Sequence, residues 1–459
     1  MFEINFKKPI HIYFIGIGGI SMSGLAEILL NEGFQISGSD SSLSPLTEKL
    51  TALGAKIYYG QSVSHLDASI DVVVYTAAIH EDNPEWIRMK ELQLPSLSRA
   101  ELLGQMMKNY KIPIAVSGTH GKTTTTSMIS QVLLASDTDP TLSIGGILPS
   151  IGGNIRIGSS PYFVTEACEY TNSFLKFHPQ IGIILNVEED HMDFFHNIQE
   201  IRTSFHQFAA LLPHDGTLII NREIDELSSI TENLSCNIIT YGFTPDCDYY
   251  ACDIEYNELG LGSYRLVRKG KSDLMITLGV CGKHNISNSL ATFALSDLLS
   301  LPEANTCTAL KEFHGTKRRF EYKGKIAGVT IIDDYAHHPT EIAATLEAAR
   351  NYPHKTLWCI FQPHTYTRTK AFLSEFAKTL AMADKIVLAD IYAARETDTL
   401  GISSAVLRDE IVKLGKECFY FPTFDEIENF LLENSINGDL LITMGAGDIV
   451  KVGENLLGL

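Results

Sequence analysis

Ala115-Val-Ser-Gly118-Thr119-His120-Gly121-Lys122-Thr123-Thr124-Thr125-Thr126 follows an apolar run and opens a helix-period segment. Those residue types have the mechanical content of a phosphate-cradling loop. Glycines let the backbone N–H groups close around phosphates, Lys122 reaches the terminal ones, and a threonine hydroxyl such as that of Thr123 can hold Mg²⁺. The usual spacing asks for a glycine at 116, where Val116 stands, so the loop is a shorter variant. Its strand–loop–helix setting predicts nucleoside triphosphate binding.

A second glycine cluster, Gly16-Ile-Gly18-Gly19-Ile-Ser21-Met-Ser-Gly24, sits between a predicted strand and helix, with Asp40 ending the next strand. Such a turn admits phosphate to the backbone, and a carboxylate in that place takes ribose hydroxyls. Ser21 occupies the third glycine position, so the dinucleotide match is partial; by itself the loop also suits a nicotinamide enzyme, or a turn that merely packs helix on sheet. Glu166 and Glu169 follow Tyr162–Thr165, and Asp190, His191 and Asp193 follow Ile181–Leu185. Ligands collect beyond the carboxyl ends of strands in open α/β sheets, so both groups are expected to face the Lys122 loop. Glutamate oxygens suit a hard cation on ATP, and an imidazole suits a second metal. His284 and Asn288 in Gly282-Lys283-His284-Asn285-Ile-Ser-Asn288 share a face if a helix starts there; the spacing alone favours helix caps over base recognition. The last third carries Lys317-Arg318-Arg319-Phe320-Glu321, Asp333-Asp334-Tyr335-Ala336-His337-His338 and His364-Thr365-Tyr366-Thr367-Arg368. Arginines there suit bidentate capture of carboxylate or phosphate, the basic triplet reads as solvated surface, and a zinc site on the histidine pair lacks a third ligand.

Three series of short β-branched runs, each alternating with helical periods, must position these groups. They start at His11–Ile15, Ile112–Val116 and Val329–Ile332, which predicts an α/β protein with three domains, over 1–108, 109–314 and 315–459. The strands between about Asn237 and Val280 follow one another without long helices, which predicts an antiparallel section. With 36 basic and 55 acidic side chains the net charge is −19, which argues against nucleic acid or an anionic membrane as partner. The eight cysteines show no C-x-x-C pair and read as reduced thiols. Lys7 and Lys8 precede an apolar stretch as in a signal peptide, but glycines and Glu27 interrupt it, so a cytoplasmic protein is expected.

In this order the motifs resemble those of the ATP-dependent Mur ligases that build the peptidoglycan stem, over nearly the whole chain from His11 to Leu457. The resemblance rests on Gly16–Gly24, Gly118–Thr126, Glu166-Ala-Cys-Glu169-Tyr, Asp190-His191-Met-Asp193, Gly282–Asn288, Arg318-Arg319-Phe320-Glu321, Asp333–Glu341 and Phe361–Arg368. It implies a Rossmann-like N-terminal domain binding UDP-N-acetylmuramate, a central P-loop ATPase-like domain with a mixed sheet, and a Rossmann-like C-terminal domain that closes over the site. It further implies an acyl-phosphate mechanism with Mg-ATP, L-alanine as acceptor, and a monomer or weak homodimer. Residue by residue, Lys122, Glu166, His191 and Arg368 would be catalytic, with Thr123, Glu166 and His191 holding metal. Gly118, Thr119, His120, Gly121, Lys122, Thr123, Thr124, Asn285, Asn288, Arg319 and Asp334 would bind ATP. Gly16, Gly18, Gly19, Ser21 and Asp40 would meet the UDP substrate, while Tyr335, His337, His364 and Arg368 match the amino-acid end. The chain departs from the family at Thr365, where many relatives carry a second arginine, and at Cys168, where many carry an aspartate. Other readings are a recycling ligase that adds a tripeptide to the same UDP sugar, and a nucleotide-binding regulator without catalysis.

Overall fold

The computed structural model describes residues 2–76, 79–394, 396–398 and 400–459. The described strands form three sheets. The first has five parallel strands in the order Lys56–Tyr59, Gln35–Asp40, His11–Ile15, Val72–Tyr75, Ser96–Ser98. Its strand order reverses beside His11–Ile15, where the glycine loop and Asp40 meet at the carboxyl ends, the usual ligand crevice of such sheets.

The central sheet has ten strands. Ile112–Ser117 lies between Tyr162–Ala167 and Ile181–Ile184, parallel to both, with Val116 opposite Glu166 and Ser117 opposite Ile184. That register sets the phosphate loop, Glu166 and the residues after Ile184 at one end of the sheet. The antiparallel section is shorter than the sequence predicts. Asn237–Gly242 still pairs in parallel with Thr217–Asn221, and the antiparallel ladder runs only through Tyr249–Tyr256, Leu261–Arg268 and Leu274–Cys281. The third sheet runs Glu321–Ile326, Val329–Asp334, Leu440–Met444, Leu357–Phe361, Lys385–Leu388, Glu417–Tyr420, antiparallel only at its first pair.

One apolar cluster joins the first two sheets. Phe14, Leu25, Leu102 and Met106 from the N-terminal part pack with Ala115, Phe163, Phe174, Phe205 and Phe208 from the central part. The two faces of the third sheet build their own clusters, around Phe361 and Leu388 on one side and Trp358 and Ile427 on the other. Among the described residues no helix is long and apolar enough to cross a membrane, and the eight cysteines are free.

Candidate active site

The loop after Ile112–Ser117 is shaped by two glycines at positive φ. Gly118 has φ +142°, and a Cβ there would stand 2.9 Å from the Leu185 Cβ; Gly121, φ +84°, starts helix Lys122–Ala135. Asn186 fastens the loop, accepting the His120 N–H at 2.7 Å and donating to the His120 carbonyl at 3.0 Å. Lys122 Nζ folds back over the loop, donating to the carbonyls of Gly118 (2.5 Å) and Thr119 (3.0 Å) and pairing with Glu169 Oε2 at 3.1 Å. Burial opposes its charge, but Glu169 outweighs that and holds the ammonium above the usual lysine range. An incoming phosphate would exchange with those carbonyls.

Glu166 is the next-to-last residue of strand Tyr162–Ala167. Its carboxylate accepts the Thr123 hydroxyl at 3.0 Å and the Gly145 N–H at 2.5 Å. A Cβ on Gly145 would lie 2.7 Å from both carboxylate oxygens, so this approach needs glycine. Burial pushes the Glu166 pKa up in spite of these donors. A hydroxyl and a part-buried carboxylate are hard oxygen donors, and a carboxylate short of solvent gains from a cation, so Thr123 and Glu166 fit Mg²⁺. The structure does not bring His191 against Glu166. His191 Nε2 is 3.8 Å from Glu169 and 3.9 Å from Asp190, with its ring against Tyr170 and its backbone at φ +54°. A non-glycine residue in that region stores strain of about 1–3 kcal/mol, which is common at ligand sites. Asp193 points outward and accepts the Tyr170 hydroxyl at 2.8 Å.

A cavity of about 920 Å³ opens beside the loop, lined by His120, Thr124, Asn285, Asn288, Arg319 and Asp334 among others. The asparagines are not the caps that spacing favours. The N-cap of Lys283–Leu298 is Gly282, without a side-chain bond. Asn285 instead donates back to the Cys281 carbonyl at 2.7 Å and accepts from Asn288 at 3.1 Å. A Cβ on Gly121 would meet the Asn288 side-chain oxygen at 3.0 Å, so this amide pair abuts the phosphate loop. Of Lys317–Arg319 only Lys317 is solvated, and the two arginines are drawn inward. Arg318 is tied to Asp333 (3.0 Å) and to the carbonyls of Gly445 and Gly447. Arg319 lies over the Tyr335 ring at 5.0 Å and lines the cavity. Asp334 accepts the N–H groups of Phe320 and Ala336, both at 2.8 Å, and burial raises its pKa to about 6 against the pull of Arg319.

At the far side, Arg368 donates to Asp190 at 2.9 Å and approaches His364 Nδ1 at 3.1 Å. Although burial opposes it, Arg368 holds the Asp190 carboxyl well below the usual range. His337 and His364 pack edge to face at 5.5 Å, and burial lowers both pKa values to about 4, so both rings are neutral at pH 7. His337 turns to the Tyr335 carbonyl, whereas His338 turns to the Glu189 carbonyl and the His120 ring. The adjacent histidines therefore diverge and cannot chelate one zinc. Thr365, at φ +65°, caps helix Tyr366–Ala371 through its hydroxyl.

In the first domain Gly16, at φ +82°, turns the chain, Gly19 caps helix Ile20–Asn31, and Asp40 accepts the Gly18 N–H at 2.7 Å. Ser21 Oγ accepts from Arg99 at 3.1 Å. Arg99 was not singled out by the sequence. It is half-buried, its pKa lowered by desolvation, and its field reaches Cys168 beside the Lys122–Glu169 pair. Glu188 and Gly145 also escape pattern reading, and Glu341, which with Glu188 flanks His120, is marked only as the end of the Asp333–Glu341 motif with no role of its own; the Gly145-Gly146 doublet is a visible signal.

This arrangement, a phosphate loop facing carboxylates, imidazoles and an arginine from another domain, is that of an ATP-dependent ligase of the Mur type. Three family models match: the Mur ligase family catalytic domain over residues 11–111, the Mur ligase middle domain over 116–296, and the Mur ligase glutamate ligase domain over 318–447. The chain belongs to the Mur ligase family. It is similar to the UDP-N-acetylmuramate–L-alanine ligases of Agathobacter rectalis and Lachnospira eligens, each 59% identical with all of both chains covered. Among solved structures it is similar to UDP-N-acetylmuramate–alanine ligase of Thermotoga maritima, with TM-score 0.81, 29% identity and 98% of each chain covered. The murein peptide ligase of Psychrobacter arcticus shares the fold, with TM-score 0.71 at 24% identity over 98% of each chain.

Proposed function

We propose that the protein joins L-alanine to the lactyl carboxylate of UDP-N-acetylmuramate at the expense of ATP, the first stem-peptide step of peptidoglycan synthesis, as a cytoplasmic monomer or weak homodimer. The lactyl carboxylate attacks the γ-phosphorus of ATP and ADP leaves; the alanine amine then attacks the acyl phosphate and phosphate leaves. The observation that carries this reading is that His120, Gly121 and Thr124 of the phosphate loop line one cavity with Arg319 and Asp334, next to the Lys122–Glu169 and Thr123–Glu166 pairs of the same loop, in a chain matching alanine-adding ligases end to end.

Each domain has a part in it. Residues 1–108 hold the UDP sugar through Gly16, Gly18, Gly19, Ser21 and Asp40; residues 109–314 hold ATP; residues 315–459 close over both. Bringing a carboxylate to a polyphosphate concentrates anions, so Lys122 and Arg319 stabilise the charge that develops. Thr123 and Glu166 would hold Mg²⁺, and His191 a second ion, and such cations would supply further Lewis-acid neutralisation. Neutral His337 and His364 leave Arg368 as the cation for the alanine carboxylate, in competition with Asp190. Arg368→Lys is therefore expected to raise the KM for alanine about tenfold or more and that for ATP little, because lysine has no planar fork. Equal rises in both would remove that role from Arg368.

Arg99 extends the reading to the UDP sugar. Set between Ser21 and Cys168, its guanidinium is placed for an anionic group of that substrate. Arg99→Gln is expected to raise the KM for UDP-N-acetylmuramate about 10–100-fold, the worth of one charge-assisted bond, with the KM for ATP little changed. The reading as a whole is tested by phosphate release from Mg-ATP with UDP-N-acetylmuramate and alternative acceptors. Turnover with L-alanine is expected. Turnover only with the L-Ala-γ-D-Glu-diaminopimelate tripeptide would reassign the enzyme to recycling.

A further inference from the structure

The C-terminal domain meets the central one differently from the way the first two domains meet. The apolar cluster that fuses the first two sheets has no counterpart among the described residues of the second junction, where the apolar clusters of the third sheet stay within that sheet's own domain. What crosses instead is polar. His120 Nδ1 lies 3.1 Å from Glu341 Oε1 and its Nε2 3.6 Å from Glu188 Oε2. Glu188 in turn accepts the Thr340 hydroxyl at 2.8 Å, His338 Nε2 meets the Glu189 carbonyl at 3.1 Å, and Asp190 takes Arg368. A polar junction of this kind permits domain motion. His120 is the one member of this set that belongs to the phosphate loop, between Gly118 and Lys122, with its main chain gripped by Asn186.

We propose that His120 is a positioning residue whose charged ring, held between Glu188 and Glu341, latches the C-terminal domain onto the phosphate loop, so that domain closure and the seating of ATP are one event. Glu188 travels with the loop and Glu341 with the C-terminal domain. A cation between them removes the repulsion that two carboxylates, Glu341 mostly shielded from solvent and Glu188 partly exposed, would otherwise impose on closure. The other titratable group facing the ring is His338, tilted against it at 4.7 Å, while Asn186 holds only the His120 main chain. Behind Glu341 lie His337, whose N–H it accepts, and the charge of Arg319. Burial works against charge on His120, but the two carboxylates prevail and bring its pKa to about 9. Out of the latch the ring returns toward the ordinary value near 6.5. The sign follows: both forms are protonated below about 6.5, so closure is strongest there. It weakens as pH rises toward 9, by up to about tenfold per pH unit, because only the closed form keeps the proton.

The same cluster could be read as a metal site, since ligand atoms of His120, Glu188 and His338 lie within 4.8 Å of one another. His120 Nε2 and Glu188 Oε2 are 3.6 Å apart, but His120 Nδ1 is already turned to Glu341 Oε1 at 3.1 Å. His338 also has both nitrogens engaged, by the Thr340 N–H at 3.4 Å and the Glu189 carbonyl. The proton is the better bridge.

The latch rests on the ligase reading for its link to ATP, so the test separates the two. Small-angle scattering of the full-length protein between pH 6.5 and 9.5 should show expansion as pH rises. His120→Gln, which keeps a donor and cannot titrate, should give dimensions independent of pH and, at pH 7, a KM for ATP near the wild-type value at pH 9.5. Glu341→Gln should likewise flatten the profile, guarding against a folding defect peculiar to position 120. A wild-type expansion retained in His120→Gln would overturn the latch. So would compaction by micromolar Zn²⁺ that His120→Gln abolishes. A His120-dependent expansion in a protein that turns over no acceptor would keep the latch and remove the ligase reading.

Discussion

Lys122→Ala is expected to lose acyl-phosphate formation by a factor on the order of 10³ or more, the usual scale for removing a principal stabiliser of transition-state charge. UDP-N-acetylmuramate binding should be nearly unchanged. The glycine loop and Asp40 that would receive that sugar belong to another sheet. Loss of UDP-sugar binding in a folded variant would count against the division of labour between domains. Stability needs separate treatment, because Lys122 also neutralises Glu169, whose side chain is only 3% exposed. Removing one partner of a buried pair costs about 3–5 kcal/mol through the charge left behind. Lys122→Ala/Glu169→Gln should therefore recover most of the lost thermal stability and none of the turnover. Recovery of turnover in the double variant would show that Lys122 acts by holding Glu169 and not on phosphate.

Much of this site is legible in the sequence because its groups sit at strand ends that local pattern marks. Gly118–Thr126 follows an unbroken apolar strand, and Glu166 and His191 follow two more. Thr141–Leu148 and Gly153–Arg156 were not foreseen, because the Gly145-Gly146 and Gly152-Gly153 doublets break alternation and the strands close the sheet's edge through an irregular ladder. Glu321–Ile326 and Glu417–Tyr420 are likewise edge strands, half solvated, with charge where a buried strand would be apolar. Arg99, Glu188 and the role of Glu341 are different omissions. Each gains its meaning from a contact across more than 65 positions: Arg99 with Ser21, Glu188 with His120, Glu341 with His120. No spacing rule in one sequence encodes such a contact. The asparagines of 285–288 show the reverse error, since the residue types suited caps and the fold spent them on a buried amide chain beside the phosphates.

Gly104→Ala should be the most damaging single-methyl substitution outside the site. Gly104 lies within helix Arg99–Met107, which packs on the 3₁₀ segment Tyr170–Lys176, and a Cβ there would collide with the Lys176 carbonyl. A backbone carbonyl cannot rotate away as a side-chain tip can, and both elements belong to the apolar cluster that fuses the first two sheets. Helix propensity favours alanine by up to about 1 kcal/mol. Overpacking in a well-filled core costs about 1–3 kcal/mol and more against rigid backbone, so the clash wins. Calorimetry should show a lower unfolding temperature for Gly104→Ala and little change for Gly153→Ala, where a Cβ meets nothing nearer than 4.0 Å. The helix also begins at Arg99, so separating these elements should raise the KM for UDP-N-acetylmuramate as well. A variant as stable as wild type would mean that the helix can shift on Tyr170–Lys176 without loss. In that case the first two domains are less firmly joined than their shared core implies, and motion between them would have to enter any account of closure.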